Sequence, residues 1–177
     1  MNSVFIATSL DGYIADRNGG LEWLDKIPDP GESDMGYGAF MSRIDALVMG
    51  RTTFETVCGF DIEWPFKKPV YVLSTTLTEI PEKFKDKAVL VKGSLTEVLE
   101  QIHANGHYRL YIDGGKTVQS FLKEDLIDDM VITMIPALLG GGYPLFGELR
   151  DEMWFECVKT ETFPNNIAQH HYVRKRD

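Results

Sequence analysis

Three short stretches carry residues able to grip a polyanion. In YIDGGKTVQSF (residues 111–121) two glycines, Gly114 and Gly115, separate an apolar run from the start of a helix, and Lys116 and Thr117 follow directly. A glycine pair there leaves backbone N–H groups open at the positive end of a helix, where a phosphate can approach without meeting a Cβ. A tight strand-to-helix turn with no ligand has the same sequence. GGKT is too short for the phosphate loop of nucleotide hydrolases, and GxGxxG is absent. In VMGRTTFE (48–55) a strand again ends in glycine, Gly50, with Arg51, Thr52 and Thr53 at a helix start. In VLSTT (72–76) a strand ends at Leu73 and is followed by Ser74 and Thr75. Ligands of open sheets sit beyond the carboxyl ends of parallel strands, so three such ends converge on one polyanion, of which a dinucleotide is the natural case. Taken singly, Arg51 also reads as a surface cation, the threonines as caps and the Ser/Thr cluster as a turn.

Other chemistries find little support. His170 and His171 are neighbours in an expected strand and point to opposite faces. His103 and His107 have helical spacing, but Asn105-Gly106 between them reads as a helix end. No metal site is expected. Cys58 and Cys157 are isolated and fit no metal spacing, so both are read as reduced, small apolar fillers. No Ser-His-Asp set with recognisable context emerges.

The elements that must position these residues alternate. Apolar or β-branched runs at 4–8, 46–49, 70–73, 88–91 and 110–112 read as strands. Leu95, Val98, Leu99 and Ile102 recur at helical spacing behind Ser94, with Glu97 completing a capping box, and Val118, Phe121 and Leu122 mark a second helix. Segments 35–43 and 52–57 supply two shorter ones. This alternation predicts a three-layer α/β/α fold with a mostly parallel central sheet. Segments 130–139, 153–163 and 167–174 then follow without a helix, as in an antiparallel C-terminal extension at the sheet edge. The Pro/Gly-rich stretch 28–38 reads as a functional loop.

With 177 residues, 44% of them hydrophobic, the chain suits one domain spanning 1–177. A net charge of -9 repels nucleic acid and anionic membrane surfaces. The one basic cluster, RKR at 174–176, reads as a solvated tail. No apolar stretch approaches the length of a spanning helix and no secretory signal is evident, so a cytoplasmic protein without membrane or nucleic-acid partners is expected.

The residues also carry a resemblance. IATSLDGYIA, LEWL, IDALVMGRTTFE, YVLSTT, LYIDGGKTVQSFL and LIDDMVITMIPALLGGGYPLF together resemble the dihydrofolate reductase superfamily, and within it the reductase domain of the bifunctional riboflavin-biosynthesis deaminase-reductase. The PxLLGGG run after a strand is the feature that separates this branch from folate reductases. The resemblance implies an NADPH site. Arg51, Thr52 and Thr53 match the positions that bind the pyrophosphate and 2'-phosphate, beside Gly50; Leu73, Ser74 and Thr75 match the strand end near that phosphate. Lys92, after VLVK, adds a second cation. Gly114, Gly115, Lys116 and Thr117 match the glycine turn under the pyrophosphate, and Ala7, Ile14 and Ala15 the strand and loop bordering the nicotinamide. Arg51 is the best bidentate candidate for a 2'-phosphate, which favours NADPH over NADH.

On the substrate side, the resemblance puts Asp34 at the family's acidic position, where a buried carboxylate binds ring N–H and amino groups and favours their protonated form. Its context equally fits an N-cap for the helix beginning near Met35. Thr133, in VITMIP, matches the strand hydroxyl that accompanies the acid. Asp11, in a DG turn, and Asp113, ending a strand beside the glycines, read as structural. Two departures limit the transfer. Lys68 stands where folate reductases hold the glutamate tail with Arg, and LDKIPDPGESD brings Asp25, Asp29 and Glu32 to the substrate loop. The implied activity is NADPH-dependent hydride transfer to a pterin-like or aminopyrimidine-like ring. The alternative is an NADPH-binding regulatory or structural protein without turnover. A homodimer through the C-terminal strands or the LLGGGYP loop is also implied.

Overall fold

The computed structural model describes residues 1–176. Eight strands form one sheet: β1 (Asn2–Ser9), β3 (Ala46–Gly50), β4 (Val70–Leu73), β5 (Ala88–Val91), β6 (Leu110–Asp113), β7 (Asp129–Ile135), β9 (Phe155–Thr162) and β10 (Ala168–Arg174). Their order is β5-β4-β3-β6-β1-β7-β10-β9. The first six in this row are parallel; β10 runs antiparallel to β7 and to β9. Four helices cover the faces: α1 (Tyr37–Ser42), α2 (Arg51–Cys58), α3 (Leu95–Ala104) and α4 (Gly115–Lys123).

The apolar runs explain the layering. In β3 both faces must be dry, and the strand is apolar throughout. Ala46 and Val48 pack in a core with Val98 and Ile102 of α3 and Val118 and Phe121 of α4. Leu47 and Met49 turn the other way, into a core with Phe40 of α1 and Phe54 of α2. A third cluster, Trp23, Ile135 and Ile167 with Ala7 and Met35 against it, closes the carboxyl end of β1 and β7. The start of α3 is fixed locally by the capping box, in which Ser94 accepts from the Glu97 amide and Glu97 from the Ser94 amide.

Four expectations change. Segment 130–139 is not part of the antiparallel extension: β7 pairs parallel with β1 and stops at Ile135, before Pro136, and only β9 and β10 reverse direction. The helix expected from Met35 begins at Tyr37, because Met35 (φ 53) and Gly36 (φ 83) are left-handed. The two arginines of the terminal RKR are tied to the chain rather than free in solvent. Arg174 Nε donates to Asp125 at 2.7 Å, and Arg176 Nη1 to Asp128 at 2.7 Å and Nη2 to the Asp125 carbonyl at 2.8 Å. Cys157 is exposed on β9, so it fills no core; Cys58 is half-buried, and both are free. A small ribbon was not expected: β2 (Tyr13–Ala15) pairs antiparallel with β8 (Tyr143–Pro144).

Candidate functional site

The parallel strands deliver their ends to one edge. There β1 ends at Ser9, β3 at Gly50, β4 at Leu73, β5 at Val91 and β6 at Asp113. Successive strands β3, β4 and β5 step outward, and the chain then returns to place β6 between β3 and β1. The order reverses at β6 and β1, which is where open sheets leave a crevice. Gly50, Arg51, Leu73, Ser74, Lys92, Gly114 and Ala7 all lie on or just beyond this edge.

Two helices start side by side here. α2 follows Gly50 and α4 follows Gly114, and neither has a side-chain cap. The first amides of a helix have no partner within it, so both starts turn donors and positive dipole ends to the crevice. The two turns also interlock. A Cβ at Gly50 would lie 2.9 Å from Thr117 Oγ1, and one at Gly114, whose φ is +86, would collide with Thr53 Oγ1. At Gly115 a Cβ would meet the Pro144 carbonyl at 2.7 Å and Ile14 Cδ1 at 3.1 Å. What approaches the glycine pair so closely is therefore the protein itself, which is sufficient to demand both glycines.

Around this core, the remaining cofactor-side residues differ in freedom. Arg51, Thr52, Thr75, Lys92 and Lys116 are exposed. Arg51 Nε lies 3.8 Å from Glu55 Oε1, a loose pair that leaves the guanidinium available. Ser74 is buried, and its Oγ accepts the Leu77 amide at 3.0 Å and the Thr76 amide at 3.2 Å, which makes it a turn former. Ile14 and Ala15 belong to the β2–β8 ribbon, anchored to α4 where Gln119 Nε2 donates to the Pro144 carbonyl at 2.9 Å. Asp11 holds the same loop from the other side. It accepts Ser9 Oγ at 2.6 Å, the Gly140 amide at 2.7 Å and the Leu139 amide at 3.1 Å, and these donors, the serine foremost, lower its pKa.

Asp113 terminates β6. It stands at the end of the central strand with the Gly114 amide donating to Oδ1 at 2.9 Å. Burial pushes its carboxyl up to about 6, against the lowering effect of that amide and of Tyr111. Burial and then the Asp113 charge raise the Tyr37 and Tyr111 hydroxyls in turn. Tyr111 donates to the Phe5 carbonyl at 2.8 Å. A carboxyl raised to about 6 at a topological switch point can exchange a proton far more readily than an ordinary aspartate. Sequence offered only its place before the glycines; its desolvation comes from strands β1, β3 and β6 and helix α1 meeting around it.

Asp34 does not meet the expectation of a buried acid. It is exposed, and its oxygens accept the Gly36 amide at 2.9 Å and the Gly38 amide at 2.8 Å, capping the entry to α1. Thr133 is buried and lies in register with Ala7 of β1 on one side and Gln169 of β10 on the other. Gln169, which no motif marked, donates from Nε2 to Thr133 Oγ1 at 2.9 Å and to the Met35 carbonyl at 3.1 Å. It thereby ties β7, β10 and the approach to α1 together. Nearby, the Trp23 Nε1 donor is sealed from solvent without a partner among the described residues.

A cavity of about 780 Å³ lies away from this edge, under the loop after α2, lined by Cys58, Phe60, Trp64, Phe66, Phe84 and Lys87. It is an open aromatic cleft at the opposite end of the strands, and the strand-end crevice remains the chemically equipped site. Among the described residues no cluster of three or more His, Cys, Asp or Glu is placed to hold a metal, and no helix is long and apolar enough to cross a membrane.

Similarity to known proteins agrees with this geometry. A Shewanella sp. PV-4 protein provisionally assigned to riboflavin biosynthesis has a crystal structure 55% identical in sequence, with a TM-score of 0.95 and 99% of each chain covered. The uncharacterized protein YwjB of Bacillus subtilis is 36% identical over 97% of this chain and 96% of its own length. At the level of fold, the deaminase/5-amino-6-(5-phosphoribosylamino)uracil reductase of Thermotoga maritima matches with TM-score 0.72 at 17% identity, over 99% of this chain and 56% of that one. Dihydrofolate reductase from Enterococcus faecalis, solved with NADP(H), matches with TM-score 0.66 at 18% identity, over 99% and 97%. The profile of the RibD C-terminal domain matches residues 3–169, and with this fold and these relatives the chain belongs to that reductase-like family.

Proposed function

We propose that the protein is an NADPH-dependent reductase that transfers hydride to a pterin-like or aminopyrimidine-like ring. The observation that carries this reading is the pair of uncapped helix starts, α2 and α4, locked together at the carboxyl edge with Arg51 and Lys116 exposed beside them. Two open helix ends and two cations suit the phosphates of a dinucleotide. The enterococcal neighbour, whose fold this chain shares, was solved with NADP(H).

In this reading Gly50, Thr52, Thr53 and the turn Gly114–Thr117 hold the pyrophosphate. Arg51, Thr75 and Lys92 take the 2'-phosphate, with Leu73 and Ser74 shaping that strand end, and Ala7, Ile14 and Ala15 border the nicotinamide. When bound, the dinucleotide supplies the hydride. The chain's own part is to hold the ring near Ala7, exclude water with the β2–β8 ribbon, and supply a proton. Asp113 is the group suited to pass that proton, because burial raises its carboxyl to about 6 at the end of the central strand. Thr133 contacts the substrate. Asp34, revised from its expected role, shapes the pocket by fixing the start of α1. We also propose a cytoplasmic protein acting as a homodimer, through its C-terminal strands or the LLGGGYP loop.

The test is titration of the folded protein with NADPH and NADH. Saturable binding is expected for both, tighter for NADPH, with Arg51→Ala removing most of the difference. A folded sample that binds neither removes the reading.

A further inference from the structure

The buried polar pair Thr133 and Gln169, on β7 and β10, is uncharged, and it points to recognition by neutral hydrogen bonds. Gln169 is 6% exposed, so its amide orientation matters energetically. Both Nε2 hydrogens are committed, one to the Met35 carbonyl at 3.1 Å and one to Thr133 Oγ1 at 2.9 Å. Reversing the amide would set its oxygen against a carbonyl, so the assignment is chemically determined. Oε1 then accepts no hydrogen bond from the described residues, and it is not among the atoms sealed from solvent. Gly36 lies close by, and a Cβ there would make only ordinary contact with Oε1 at 3.9 Å.

Thr133 completes the pattern. Its hydroxyl oxygen accepts from Gln169, which leaves its own hydrogen to donate. The pair therefore offers a carbonyl acceptor beside a hydroxyl donor, on neighbouring strands in register with Ala7. That is the complement of an N–H next to a C=O. Neither group is charged, and Asp34, the acid of this segment, faces the amides of Gly36 and Gly38 instead. The Gln169–Thr133 pair itself carries no charge, and a neutral amide edge would satisfy both of its free groups.

We infer that Gln169, acting with Thr133, is a specificity-determining residue that recognises the N–H/C=O edge of a neutral cyclic amide in the substrate ring. The inference rests on the substrate side of the reading above and not on the cofactor. It is tested by calorimetric or NMR titration, without cofactor, using lumazine and its imide-N-methylated derivative as probes. The wild-type protein is expected to prefer lumazine by about tenfold or more, since methylation removes the donor and leaves a buried acceptor unpaired. Gln169→Leu should abolish the preference while NADPH affinity stays as in the wild type. Thr133→Val, which is isosteric, should reduce the preference and serves if Gln169→Leu fails to fold. Equal binding of the two probes by the wild type, binding of neither, or a preference that survives in a folded Gln169→Leu protein would each overturn the inference. Loss of the cofactor reading would show separately, as a failure to bind NADPH with the lumazine preference intact.

Discussion

Thr53, on the first turn of α2, occupies the space that a side chain at Gly114 would need, while Thr117 of α4 stands 2.9 Å from where a Cβ at Gly50 would lie. The relationship is reciprocal: each helix start is fitted to the glycine that precedes the other. Each threonine therefore sets the spacing of two dipole ends.

Gly114→Ala should destabilise the fold by about 3 kcal/mol, combining the strain of a left-handed non-glycine residue with overpacking against Thr53. Adding Thr53→Ala should return only the overpacking part, because the backbone strain at φ +86 persists. Urea denaturation of the two single variants and the double variant measures the coupling. Strict additivity would show that the two turns do not bear on one another.

Asp113 should make stability fall as pH rises. Its carboxyl is raised from 3.8 to about 6 on folding, so the folded state binds the extra proton, and stability present below pH 4 is lost as pH passes through 6. Asp113→Asn keeps the acceptor for the Gly114 amide and removes the titration. It should match the wild type near pH 4 and exceed it by about 2 kcal/mol at pH 7. Denaturation at the two pH values decides this. In the proposed reductase the same variant should lower kcat strongly with NADPH affinity retained.

Asp34 is expected to act as a cap. Asp34→Ala should cost about 1 kcal/mol of stability by freeing two amides, and Asp34→Asn less, since one oxygen remains to accept. Reduction by Asp34→Asn should stay within a few-fold of the wild type. A loss comparable with that of Asp113→Asn would return Asp34 to the chemistry.

The C-terminal arginines should contribute to folding. Arg174 has a side chain only 13% exposed, reaches both oxygens of Asp125 and lies 5.8 Å above the Phe155 ring. Arg174→Ala should destabilise by about 2 kcal/mol through lost packing and charge-assisted bonds. Arg176→Ala, more exposed, should cost about half as much and lose that cost in high salt. Thermal unfolding at low and high ionic strength separates them.

What could be read from the chain was local. The apolar runs of β4 and β5 and the Ser94–Glu97 box each specify an element within a few residues, because backbone periodicity and caps depend on near neighbours. The same holds for the crowding of glycines, hydroxyls and cations at strand ends, and for the α/β/α plan that follows from alternation. Short pieces escaped notice: β2 and β8, of three and two residues, have too little pattern to declare a strand.

Only the tertiary structure decided how the strand-end residues divide their work. Asp34 and Asp113 are both acids close before glycines, and their surroundings separate them, leaving one exposed on two amides and the other half-buried at the end of the central strand, where burial raises its carboxyl. Gln169 meets Thr133 through a register set between strands that are adjacent in space and distant along the chain. Sequence determined which elements form and which end of the sheet is chemically equipped, since those follow from short-range preferences. The protonation of each acid, the partner of each amide and the reason for each glycine depend on what other segments bring alongside, and those neighbours are chosen by packing across the whole sheet.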